Sequence, residues 1–102
     1  MINMQGLKMA KCGELTVAIK ARSTELLGYE VKKEELAFMP YLSHLIANNI
    51  SLNNLSDEEE IVLEELKSKG LVIQSKRLQC TFDYWVAMQE ICYIAYIDHS
   101  NR

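Results

Sequence analysis

Residues 56–82 read SDEEEIVLEELKSKGLVIQSKRLQCTF, and the order of signals in this stretch decides the fold class. Ser56 followed three residues later by Glu59 forms a capping box, each side chain able to satisfy the other's backbone N–H. Asp57, Glu58, Glu59 and Glu60 crowd the first turn, where the positive end of a helix favours acids. Val62, Leu63 and Leu66 then recur at helical spacing, so a helix is predicted to run to about Lys69, with Gly70 as its left-handed terminator. Leu71-Val72-Ile73 and Leu78-Gln79-Cys80-Thr81-Phe82 flank a polar link over residues 74–77. That pattern predicts a small β-hairpin with Lys76 and Arg77 near its tip.

Downstream, Asp83 is the expected cap of a last helix reaching about Ile97. Twelve of the fourteen residues 84–97 are apolar, with only Gln89 and Glu90 polar. A helix apolar all round is buried centrally or against another chain. Trp85, Met88, Cys92 and Tyr96 fill one face, leaving Tyr93, Ile94 and Ile97 to be covered elsewhere. Aromatic residues and Met are enriched in interface cores. Trp85, Met88, Tyr93, Ile94 and Ile97 are therefore the candidate self-association residues, and a homodimer is expected.

Upstream, residues 14–27 carry Leu15, Ile19, Arg22 and Leu26 at helical spacing, closed by Gly28. Residues 32–49 place Leu36, Met39, Leu42, Leu45 and Ile46 on one broad face. Pro40 interrupts this pattern, so it is either one kinked helix or two meeting at Met39-Pro40. Ile50-Ser51-Leu52 alternates as a very short strand would, before a polar turn at Asn53-Asn54. The expected architecture is mainly α (α+β): about four helices with a small β-hairpin before the last helix.

Composition agrees with that class. The 102 residues are 49% hydrophobic and 25% charged, with only four Gly and one Pro, which favours helices over a turn-rich β architecture. The length suits one domain over residues 1–102, with residues 1–13 expected as a flexible N-terminal segment. No apolar run has signal-peptide character or membrane-spanning length, so a soluble, cytoplasmic chain with no membrane partner is expected. Cys12, Cys80 and Cys92 are odd in number and widely spaced, encoding neither a disulfide framework nor a zinc knuckle.

Charge is more informative. Residues 34–66 hold eight Asp/Glu and no Lys or Arg, whereas residues 1–33 hold six Lys/Arg against three Glu and residues 67–102 hold five against three. The helix, hairpin and hydrophobic helix, joined by Lys69-Gly70-Leu71-Val72, resemble the end of a winged-helix domain over residues 50–97. That resemblance would send the helix from Ser56 into a DNA groove, but its first turn would meet the phosphates with carboxylates instead of releasing counterions. Ile50-Ser51-Leu52 would also stand directly before that helix, leaving one helix too few.

The basic flanks are the alternative nucleic-acid contacts: Lys20 and Arg22 with Lys8, Lys11, Lys32 and Lys33, and Lys76 with Arg77. No aromatic residues are interleaved as stacking platforms. For catalysis, His44 lies on a helical face with Tyr41 and Asn48, but a nucleophilic site would need Cys12 or Cys80 beside it. Two histidines fifty-five residues apart supply no paired metal ligands, and the four lone glycines cradle no phosphate. Neither a metal nor a cofactor is expected.

The sequence thus points to a non-enzymatic regulatory or inhibitory protein acting by association. Its expected surface for a basic protein partner is Asp57, Glu58, Glu60, Ile61, Glu64 and Glu65. The competing expectation is a dimeric winged-helix DNA-binding regulator using the basic flanks.

Overall fold

The computed structural model describes residues 13–52 and 54–97. Residues 1–12 of the expected flexible segment 1–13, with Lys8, Lys11 and Cys12, lie outside them, as do Asn53 and His99; Gly13 is described and gives its N–H to the Ala95 carbonyl at 2.8 Å. Among the described residues four helices and a two-stranded sheet follow in order: α1 Val17–Leu27, α2 Lys33–Asn48, α3 Asp57–Ser68, β1 Val72–Gln74, β2 Leu78–Cys80 and α4 Phe82–Cys92. A π-helical turn, Tyr93–Ile97, extends α4. This is the mainly α architecture with a small hairpin before the last helix.

The local chemistry of each end sets these limits. α1 begins at Val17, not at Glu14, because the Thr16 hydroxyl accepts the Ile19 N–H at 3.2 Å. It stops where Gly28 turns left-handed (φ 82°) and returns its N–H to the Thr24 carbonyl. α3 starts on the capping box: Ser56 accepts the Glu59 N–H at 3.1 Å, and Glu59 accepts the Ser56 N–H at 2.9 Å. It ends in a Schellman motif, with Gly70 N–H on the Lys67 carbonyl and Leu71 N–H on the Leu66 carbonyl.

α2 passes through Pro40 as a single helix. A proline in a helix interior leaves the carbonyl four residues earlier without its usual donor. Here that carbonyl belongs to Leu36, and the Tyr96 hydroxyl donates to it at 3.1 Å. The π-helical turn after α4 thus fills the gap that Pro40 opens in α2.

Two local expectations are corrected. Residues 50–52 form no strand: Asn49 takes the left-handed conformation (φ 54°) and Ile50 gives its N–H to the Leu45 carbonyl as part of the α2 terminus. The cap of α4 is Thr81, not Asp83; its hydroxyl accepts the Tyr84 N–H at 3.1 Å. Phe82, expected to continue the hairpin alternation, is consequently the first helical residue and lies exposed.

The hairpin is antiparallel, with Val72 opposite Cys80 and Gln74 opposite Leu78. Val72 and Leu78 turn into the core while Ile73 and Gln79 face solvent. The core is built around α4, which packs on both α1 and α2 and buries Tyr84, Ala87, Met88 and Ile91. Ile19, Leu36, Phe38, Met39, Leu42, Leu45, Val62, Leu63 and Leu66 complete it. Polar ties fix α4 in place. The Arg22 guanidinium from α1 donates to both carboxylate oxygens of Glu90, and the Gln89 amide donates to the Ser43 hydroxyl of α2 at 3.0 Å.

Candidate protein-binding surface

Because Val62, Leu63 and Leu66 turn inward, the helical period sends the rest of α3 outward. Glu58, Glu60, Glu64 and Glu65 are exposed, and Ile61 lies among them with 61% of its surface open. Residues three and four apart are neighbours on a helix surface. The neighbours of Ile61 are therefore Asp57, Glu58, Glu64 and Glu65, which enclose one isoleucine in four carboxylates. Two of these have cations nearby: Lys32 lies 3.6 Å from Glu65 and Lys67 lies 3.2 Å from Glu64. Lys69, one turn beyond Glu65, stands over the Tyr29 ring, 3.6 Å from its centre.

Beside Ile61 a cavity of about 210 Å³ opens between α2 and α3. Its walls are Ile61 and Val62, with Lys32, Glu34, Glu35, Glu58 and Glu65 around them. Glu35 is the residue that sequence reasoning did not single out. It is buried, and one of its oxygens accepts the Tyr29 hydroxyl at 2.8 Å and the Tyr84 hydroxyl at 2.7 Å. No described cation lies within ion-pair distance of it. Both tyrosine hydroxyls are pushed well above the ordinary range, first by burial and then by the Glu35 charge, so they remain donors. An apolar wall beside several carboxylates matches the aliphatic stem and cationic head of a lysine or arginine.

The other candidate residues are dispersed. His44 is exposed and, among the described residues, its side chain hydrogen-bonds only to Asn48 of its own helix, whose amide nitrogen lies 3.1 Å from Nδ1 and also donates to the His44 carbonyl. Burial pushes the Cys80 thiol up and the Cys92 thiol up to about 11, which keeps both protonated at neutral pH. Among the described residues no group of three His, Cys, Asp or Glu is placed to hold a metal ion. Nor is any helix of the described residues long and apolar enough to cross a membrane.

The described basic candidates singled out on α1 and at the hairpin come from two separate elements. Arg22 is engaged by Glu90 and Glu25, so a phosphate would have to displace carboxylates to reach it. Lys76 and Arg77 are exposed at the hairpin tip, and Lys20 is half-buried on α1.

Of the candidate self-association residues, Met88 is corrected: it is fully buried in the core and unavailable to a second chain. Trp85 and Ile94 are half-buried, while Tyr93 and Ile97 are exposed. The last helix is both core and surface, apolar on each side. Compared with family models, curated proteins and solved structures, the chain finds no match.

Proposed function

We propose that this protein is a non-catalytic regulator or inhibitor that binds a basic protein partner through the outer face of α3. The observation that carries the reading is Ile61, exposed at the centre of a carboxylate ring and forming one wall of the adjacent cavity. A buried apolar anchor supplies most of the energy of a typical interface, and a charged rim supplies association rate and discrimination. The α3 face has both parts: Ile61 as anchor, with Asp57, Glu58, Glu60, Glu64 and Glu65 as rim. A lysine or arginine of the partner enters the cavity with its stem along Ile61 and Val62 and its charge toward Glu34, Glu35, Glu58 and Glu65.

The same face disfavours duplex DNA, because its exposed carboxylates outnumber the two lysines beside them and repel approaching phosphates. Self-association through the outer side of the last helix accompanies this reading, making the working form a homodimer.

The test compares the wild-type chain with Ile61→Ala in capture from the native host, identifying bound protein and nucleic acid together. Ile61 is exposed, so its truncation leaves the melting temperature nearly unchanged. Loss of an anchor costs about 2 kcal/mol or more, some thirtyfold in affinity. The captured protein should therefore disappear with Ile61→Ala. Retention of the same partner at equal yield, or capture of nucleic acid alone, contradicts the proposal.

A further inference from the structure

The outer side of α4 and its π-helical extension carries four exposed apolar side chains: Phe82 (77% exposed), Val86 (41%), Tyr93 (52%) and Ile97 (59%). They number symmetrically about the peptide bond between Gln89 and Glu90. Phe82 and Ile97 lie equally far on either side, as do Val86 and Tyr93. At 3.6 residues per turn, positions 82, 86, 89, 90 and 93 fall on one face. The wider π-helical turn keeps Ile97 on the side of Tyr93. An isologous interface needs a surface complementary to itself, a property that binding an unrelated partner does not demand.

We infer that this face pairs with the same face of a second copy, the two helices antiparallel about a two-fold axis beside the Gln89–Glu90 peptide bond. The inference rests on the homodimer reading and specifies its geometry. Phe82 then meets Ile97 of the second copy, Val86 meets Tyr93, and Gln89 meets Glu90.

Charge fits this register. Glu90 is held by Arg22, which lowers the charge brought to the axis. The residue facing it is Gln89, whose amide has two N–H groups and spends one on Ser43. Asp83 stands level with Tyr96 of the second copy, so no carboxylate opposes another. Sliding the helices by one turn would set Val86 against Gln89 or Tyr93 against Glu90, and would leave Ile97 or Phe82 unopposed. A parallel pairing would set Glu90 against Glu90.

The four side chains expose roughly 400 Å² per copy, judged from the usual sizes of such groups. That is about half of the ~800 Å² per partner of a standard interface, so a weak dimer is expected.

The experiment is sedimentation equilibrium at concentrations on the order of tens of micromolar, where such weak complexes populate. The wild type should sediment as a dimer. Val86→Arg and Tyr93→Glu, both at exposed positions, should each weaken association at least tenfold while keeping the far-ultraviolet dichroism and melting of the folded monomer. Mixed in equal amounts, these two variants should re-form a dimer, because the introduced cation of one faces the introduced anion of the other. A monomeric wild type overturns the homodimer reading and this geometry together. A wild-type dimer that ignores both substitutions leaves the homodimer standing and overturns only the interface. Failure of the mixture to dimerise, or rescue of Val86→Arg by Val86→Glu instead, overturns the antiparallel register.

Discussion

At Glu35, hydroxyls from Tyr29 and Tyr84 converge on one carboxylate oxygen, which lets an acid stay buried in the core with no described cation beside it. None of this was legible from sequence, where Glu35 is one of eight acids between residues 34 and 66 and its two donors lie six and forty-nine positions away. Ile61 was legible, because helical period alone sets it outward once Val62, Leu63 and Leu66 are assigned inward. Arg22 and Glu90 form a second residue-scale feature, with a consequence for pH. The guanidinium holds the Glu90 carboxyl below its ordinary range, chiefly by hydrogen bonding. A carboxylate whose pKa is lowered on folding stabilises the native state above its unfolded pKa and loses that contribution as pH falls through the folded one. Wild type should therefore melt above Glu90→Gln at neutral pH, with the difference shrinking toward zero in acid. Melting curves of the two proteins across that range check it; a difference that grows on acidification contradicts the pairing.

At the scale of elements, helix ends were the most readable feature, because their signals are local. Gly28, the Ser56–Glu59 box and Gly70 act through residues at most four positions away. The misreadings came from competition among equally good signals. Thr81 and Asp83 are both capping residues, and the hairpin places Thr81 first, tying its N–H to the Leu71 carbonyl. Ile50 alternates like a strand residue, yet its N–H is already committed to the end of α2.

Pro40 was readable only as a question. Its answer, one continuous helix, is accompanied by a hydroxyl fifty-six residues further along the chain. A double-mutant cycle on Pro40→Ala and Tyr96→Phe tests that account. With proline present, losing the Tyr96 hydroxyl strands the Leu36 carbonyl and should cost about 1–3 kcal/mol. With alanine present, the restored N–H serves that carbonyl, and the same change should cost markedly less. Urea unfolding of the four proteins should give a coupling on the order of 1 kcal/mol. A cycle that closes to zero would mean that Tyr96 does not compensate for the proline.

At the scale of the whole molecule, folding concentrates charge that the sequence merely lists. Glu34 and Glu35 come from α2, and Glu58 and Glu65 from α3, yet all four border one cavity. The acidic middle of the chain was plain from residue counts. Its cavity was not, since that depends on how α2 and α3 pack and on Ile61 and Val62 supplying an apolar wall. The basic flanks met the opposite fate, with Arg22 turned to hold α4 and Lys32 turned toward Glu65.

The central claim is that this concentrated charge serves a protein partner, and Glu60→Lys/Glu64→Lys addresses it most directly. Both positions are exposed, and the change gives up little: the surface pair of Glu64 with Lys67 and one of the four acids at the positive end of the helix, each worth about 0.3–1 kcal/mol. Binding is measured by titration and stopped flow, against the captured protein and against duplex DNA, at low and high salt. The account expects slower association with the protein, most visibly at low salt where screening is least, and at most weak affinity for DNA in the unaltered chain. Unchanged protein binding together with tighter binding of duplex DNA would contradict it.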